Sequence, residues 1–373
     1  MIVICGPLLL ELCVRAAFRR GEYYVWKPGT RMRLGIDPKA LPGMPSEARF
    51  WINRDGERGD DPPPARDDAS VYRVLVVGGS AAECYFLDQD ASWPGVVQER
   101  LLRAENRERL GGRRAHVANL ARSGTGPTEA VARVLERIRD RSRCDVILIM
   151  AGAADIVNWM RHGTPSEIPD ELSTDFLFLQ HPEKRFGWHP ARLALVELLR
   201  RLKQRWSAAE FRREHVGKKL IETRAMRARA EKIKDDTPDP APMIAAYESG
   251  LRRAVEVAKT MSERVLVVRQ PWFEKDHTDE ENARFWNCGE GYPYSEDVKT
   301  YFSMAVTARL MQTLSDVGAR ICEEAAVEHL DLMPTLDRSL RTYYDFFHFT
   351  AEGASDVADA VSEVILKSVQ ERA

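Results

Sequence analysis

The sequence predicts an α/β fold in three layers, a five-stranded parallel sheet between two layers of helices, with a helical insertion added to it. Three observations predict it. Short apolar, β-branched runs recur along the chain, amphipathic stretches with three- and four-residue spacing separate most of them, and strand–helix–strand units repeated in this way form a parallel sheet covered on both faces. The 373 residues, 44% hydrophobic and 30% charged, are enough for one large domain of this kind. The same composition excludes a disordered, collagen-like or multi-span membrane chain.

The elements follow in order. Residues 1–18, MIVICGPLLLELCVRAAF, are apolar apart from Glu11 and Arg15, and Arg19 and Arg20 come next. Their clean apolar run is ten residues, against the roughly 20 that a bilayer span requires. A basic leading region and a small-residue cleavage site are both missing, which argues against a signal peptide. Residues 1–20 therefore have two readings, a buried or amphipathic first helix and the tail of a truncated membrane anchor. The second would associate the chain with a membrane, and favours a membrane-anchored or envelope-facing location over a cytoplasmic one.

Residues 21–70 are rich in Pro, Gly, Asp and Arg with little periodicity, and read as an irregular arm over the domain. Residues 71–373 form that domain. It opens with Tyr72–Val77, an apolar run ending in Gly78-Gly79, read as a buried strand entering a tight turn. Similar runs occur at His116–Leu120, Asp145–Met150, Val265–Val268 and His329–Leu332. Helical patterns cover Trp93–Asn106 and Thr128–Arg141, and a last helix runs from Ala351 to Val369 with Thr350 placed to cap it. Residues 156–245 are an insertion, because a crossover there needs only about a dozen residues. Its Arg161–His189 part is loop-like, Pro190–Lys234 is strongly helical, and the PDPAP at 238–242 closes it.

Ligands of such sheets bind beyond the carboxyl ends of the strands, and four features fall there. Ser80 follows Gly78-Gly79 and precedes a helix, whose N–H groups and dipole would face any charge beside it. Asn119-Leu120-Ala121-Arg122-Ser123-Gly124 follows the second strand, with Gly124 able to bring its N–H close to a ligand and Asn119 able to hold the loop. Gly152-Ala153-Ala154-Asp155 follows the third. Asp345 and His348 stand three residues apart ahead of the last helix, so that the carboxylate can fix the ring's orientation. Each alone also fits a structural role: a capping serine, ordinary turns, a packed histidine.

Other chemistries find less. The fingerprint G-x-G-x-x-G fails, since Ser80 and Glu83 stand where glycines would be needed after Gly78. Cys5, Cys13, Cys84, Cys144, Cys288 and Cys322 contain no C-x-x-C pair and no histidine at zinc-ligand spacing, so incidental thiols are favoured over a metal or a disulfide framework. Cys84 lacks the constellation that Ser80 has. The net charge of −2, from 55 basic and 57 acidic residues, argues against a nucleic-acid partner.

Taken in chain order, the four features resemble the SGNH or GDSL hydrolases, with a serine block, a glycine block, a G-x-N-D block and a D-x-x-H block. The resemblance spans residues 71–369, and the phrase Asn53-Arg54-Asp55-Gly56-Glu57-Arg58-Gly59 looks like the N-x-x-G-x-R-G arm of bacterial, often membrane-anchored members. It implies a flavodoxin-like sheet and an acyl-enzyme mechanism without metal or organic cofactor. It further implies Ser80 as nucleophile, His348 as general base and Asp345 as its orienting carboxylate. The oxyanion donors would be the N–H groups of Ser80 and Gly124. The departure is Ala154, where the family has an Asn whose side chain is the third donor. Losing such a donor costs on the order of 10²–10³ in turnover. A slower hydrolase, a substitute such as Asn158 or a helix N–H, or a protein that binds without catalysing would each accommodate it.

The resemblance implies an esterase or acyl hydrolase for a small-molecule or carbohydrate ester, or an acyltransferase acting on one. The rival is a catalytically impaired binding or assembly protein of a cell-envelope or polysaccharide pathway. Charge adds one further expectation. Residues 191–234 hold fourteen Lys/Arg against five Asp/Glu, a charge of +9 that leaves −11 on the rest. That segment reads as a solvated helical face, or as a cationic cover drawing in an anionic substrate or resting on anionic lipid.

Overall fold

The computed structural model describes residues 2–17, 25–26, 28–63, 68–123, 127–141, 143–168, 187–190, 193–196, 198–199 and 212–370. The central sheet has five strands: β1 (Val71–Gly78), β2 (Arg114–Asn119), β3 (Cys144–Met150), β4 (Ser262–Val268) and β5 (Glu328–Leu330). All pair in parallel, in the order β5-β4-β3-β1-β2. This is the flavodoxin-like order, with its switch point between β1 and β3. Every residue of β1 is buried, as a strand covered on both faces requires.

Seven helices matter for the site: α1 (Ser80–Glu83), α2 (Trp93–Leu101), α3 (Thr128–Ile138), α4 (Ala153–Arg161), α5 (Ala241–Met261), α6 (Met304–Ala325) and α7 (Ala351–Gln370). Helices α2 and α7 pack together in one layer, while α3, α5 and α6 pack in the other. Helix α3 shows why: Val131, Val134, Leu135 and Ile138 are buried along one stripe. It meets α5 at Gly250, where an added Cβ would lie 2.6 Å from the backbone nitrogen of Glu129. The amino end of α3 is held by Asp155, which accepts from the Thr128 N–H at 2.9 Å and the Thr128 hydroxyl at 2.7 Å. Burial pushes that carboxyl up to about 7, against the opposing Thr128 bonds. Thr350 caps α7, its Oγ1 accepting from the Gly353 N–H at 3.1 Å.

The structure corrects the sequence reading in several places. The helix expected over 93–106 stops at Leu101, and a second one follows at Ala104–Arg109. Helices α4 and α5 reach to Arg161 and start at Ala241, so the segment inserted between them is 162–240 rather than 156–245. The 21–70 arm is not irregular throughout. Arg31–Ile36 and Glu47–Trp51 pair antiparallel, and Arg212–Val216 joins them in parallel as the third strand of a separate sheet. In Arg31–Ile36 the alternation is real, with Met32, Leu34 and Ile36 buried, but its partner strand lies far along the chain in RREHV, where no apolar pattern announces a strand. For the same reason Pro190–Lys234 is only partly helical. Lys218–Ala228 is a helix, but Arg212–Val216 is a strand and Lys232–Lys234 pairs with Thr300–Phe302. Strand pairing here overrides the helix preference of Lys, Arg and Glu. Residues 200–211 lie outside the described residues.

Ile2–Ala17 is a helix of 16 residues. Among the described residues no helix is long and apolar enough to cross a membrane. Its Glu11 turns inward, accepting at 2.8 Å from the N–H groups of Ala194 and Leu195 and at 2.6 Å from Arg15, while Leu8, Leu9, Leu10 and Leu12 are exposed.

Candidate active site

The serine block is placed by backbone crowding at the end of β1. At Gly78 (φ +156°) an added Cβ would sit 2.1 Å from the Met150 carbonyl oxygen of β3. Only glycine permits so close an approach, and the chain then turns directly into α1 with Ser80 as its first residue, half-buried. The turn is gripped from behind. Arg58, 1% exposed, donates to the carbonyl oxygens of Glu83, Cys84 (3.0 Å) and Leu87 (2.8 Å) and to the side chain of Gln89 (3.0 Å). The Trp93 indole donates to the Ala81 carbonyl at 3.1 Å. Burial pushes the Cys84 thiol up to about 11, leaving it a poor nucleophile.

The D-x-x-H block lies on a loop between β5 and α7. His348 Nε2 is 2.7 Å from Ser80 Oγ, and His348 Nδ1 is 2.8 Å from both oxygens of Asp345. Partner chemistry sets the tautomer: Nδ1–H donates to the carboxylate and Nε2 accepts from the serine hydroxyl. Asp345 has no solvent exposure. Its oxygens accept from the N–H groups of Phe347 and His348 and from the Trp286 indole, each at 2.9 Å. Burial by itself raises the Asp345 carboxyl, but His348 and these donors outweigh it and hold it below the ordinary carboxylate range. The Tyr344 ring stacks on the imidazole at 5.4 Å and 8°.

The residues expected around the oxyanion are less complete. Gly124 lies outside the described residues. The loop before it is tied to the serine turn: the Ser123 N–H and hydroxyl both donate to the buried Glu83 carboxylate, and the Asn119 amide donates to the Ala82 carbonyl at 3.0 Å. Ala154 stands in the first turn of α4 with no side-chain donor to offer. Asn158 lies one turn further on the same partly exposed face, about 6 Å along the axis. Its carboxamide makes no hydrogen bond among the described residues. The adjacent N–H of Ala153 is taken by Gln270, at 3.1 Å. Among the described residues no cluster of three or more His, Cys, Asp or Glu side chains could hold a metal ion.

Three contributors were not read from the sequence. Trp286 has no motif around it. Arg58 stood in the arm phrase without an assigned role. Arg224, in the basic insertion, donates to the carbonyls of Ala40, Arg284 (2.9 Å) and Tyr344 (3.4 Å), and so braces the residue beside Asp345.

Sheet order and site together define a class: a three-layer α/β/α protein with a flavodoxin-like parallel sheet and with serine, histidine and aspartate hydrogen-bonded at the carboxyl ends of its strands. No protein-family model and no curated protein matches the chain. Among solved structures it is similar to LAE5, an alpha/beta hydrolase enzyme from the metagenome of Lake Arreo, Spain, at 14% identity and a TM-score of 0.43, over 80% of this chain and 96% of that one. It is similar also to a member of the lipolytic protein G-D-S-L family from Veillonella parvula, at 10% identity and a TM-score of 0.42, over 80% and 98%. A third is Axe2, an acetylxylan esterase from Geobacillus stearothermophilus, at 14% identity and a TM-score of 0.41, over 80% and 94%.

Proposed function

We propose that the chain is a serine esterase that works through an acyl-enzyme on a small-molecule or carbohydrate ester. The observation that carries this reading is the unbroken run of hydrogen bonds from Ser80 Oγ through His348 to a fully buried Asp345. Ser80 Oγ attacks the ester carbonyl while its proton passes to His348 Nε2, and Asp345 holds the resulting imidazolium. His348 then gives that proton to the departing alkoxide. Water repeats the attack on the acyl group, or a sugar hydroxyl does so if the enzyme is a transferase. The N–H groups of Ser80 and Gly124 are the proposed oxyanion donors, with Asn158 as the candidate third in place of the amide that Ala154 lacks.

Ala154 also motivates a second reading, a binding or assembly protein of a cell-envelope or polysaccharide pathway that keeps the site without turnover. A fluorophosphonate probe separates the two. The esterase reading expects labelling of the native chain that disappears in Ser80→Ala; a folded native chain that stays unlabelled would leave only the binding reading.

A further inference from the structure

Helix α4 buries Ala153, Asp155, Ile156, Trp159 and Met160 against the fold. Ala154, Asn158 and Arg161 lie on its opposite, partly exposed side, at i, i+4 and i+7, and so form one line along the helix. The line begins at the position of the missing oxyanion donor and ends about 11 Å away at Arg161. There the 284–296 segment crosses over: the Gly291 N–H donates to the Arg161 carbonyl at 2.9 Å, and the Arg161 guanidinium lies 5.0 Å over the Tyr292 ring. The Tyr292 hydroxyl is 2.8 Å from His162 Nε2. Tyr292 and Tyr294 stand 42% and 49% exposed, and Tyr294 meets Trp286 edge-on at 5.9 Å, the same Trp286 whose indole N–H donates to Asp345. A band of side chains thus runs from the triad carboxylate to Arg161.

Charge distinguishes Arg161 from its neighbours. Arg229, Lys234 and Arg284 are each paired with an acid, Asp297, Glu290 and Glu280. Among the described residues no carboxylate pairs with Arg161. Tyr294 lies within electrostatic reach of both Arg161 and Asp345, so these groups share one neighbourhood. A guanidinium without an acid offers a planar fork suited to a carboxylate, and exposed tyrosine rings offer apolar faces to the C–H side of a pyranose.

We infer that the site proposed above continues into a subsite for an acidic saccharide, with Arg161 taking a sugar carboxylate and Tyr292 and Tyr294 the sugar rings. The inference rests on the esterase reading and names the class of its alcohol portion. The test measures how oligosaccharides protect Ser80 of the full chain from a fluorophosphonate, each variant normalised to its own unprotected labelling rate. Pentagalacturonate is expected to protect at about tenfold lower concentration than neutral xylopentaose, the scale of one charge-assisted hydrogen bond. Arg161→Gln is expected to erase that preference and Arg161→Lys to keep part of it. Without any variant, raising ionic strength from about 20 mM to about 500 mM should weaken protection by the acidic oligomer alone. Equal protection by the two oligosaccharides, protection by polyglutamate as good as by pentagalacturonate, or a preference that survives in Arg161→Gln would overturn the subsite. A wild-type chain that does not label would instead strike the esterase reading beneath it.

Discussion

Asp345 takes four donors onto one carboxylate without solvent contact: the His348 ring, two backbone N–H groups and the Trp286 indole. A buried carboxylate stays ionised only where such donors replace water. Trp286 is the member that a substitution can remove without touching the backbone. In Trp286→Phe the ring is kept and one donor is lost, so the Asp345 carboxyl rises from its lowered position. A carboxyl held low stabilises the folded form above its unfolded-state value, and that stability is lost as pH falls through the native value. Raising the native value moves the loss to higher pH. The acid limb of the stability–pH profile, read by denaturant unfolding, should therefore shift upward in Trp286→Phe, and labelling of Ser80 by a fluorophosphonate should slow by about tenfold. An unmoved acid limb would reduce Trp286 to packing.

At the scale of elements, the one-turn helix α1 is too short to hold a nucleophile steady by itself. The arm does this for it. Asn53 closes a turn on the N–H groups of Asp55 (2.9 Å) and Glu57 (3.0 Å), the Arg58 N–H bonds the Asn119 carbonyl of the edge strand β2 at 2.8 Å, and the Arg58 side chain enters beneath the serine turn. Arg58→Leu leaves three buried carbonyls short of a donor, each costing about 1–3 kcal/mol. Denaturant unfolding should show a loss of several kcal/mol, and Arg58→Lys should not restore it, because one ammonium group cannot reach the acceptors that a fork spans. A leucine variant as stable as the native chain would show that the arm is no part of the site's support.

At the scale of the molecule, two of the cations in the basic stretch 191–234 have a use that net charge conceals. Arg227 donates to the Asn287 carbonyl at 2.7 Å and the Phe302 carbonyl at 2.9 Å, and Arg224 reaches the carbonyls of Arg284 and Tyr344. These two cations are turned into the protein, clasping the segment that carries Trp286. Arg227→Met should lower both the melting temperature and the rate of Ser80 labelling. Arg229→Met, two residues on, removes only an exposed contact to Asp297 at 3.3 Å and should change stability by less than about 0.5 kcal/mol. Equal effects of the two would show that burial of Arg227 counts for nothing.

Much of this was legible in the chain. The strands of the main sheet could be read because a strand buried on both faces must be apolar throughout, and VYRVLVVG and CDVILIM are nearly so. Ser80, Asp345 and His348 could be named only because four blocks, taken in chain order, resemble those of the SGNH or GDSL hydrolases; alone, each also fits a structural role. The strand at Arg212–Val216 could not be read, since RREHV has no apolar alternation and becomes a strand only by pairing with Arg31–Ile36. Trp286 and Arg58 likewise have no local signature, because what defines each is an acceptor at the far end of its side chain, 59 residues away at Asp345 and 25 to 31 away from Glu83 to Gln89. Local sterics and hydrophobic periodicity, which act between near neighbours, thus determined the strands of the main sheet and the turns at their ends. Which buried donors would meet which acceptors was decided only when the folded chain brought distant segments together and removed the water between them.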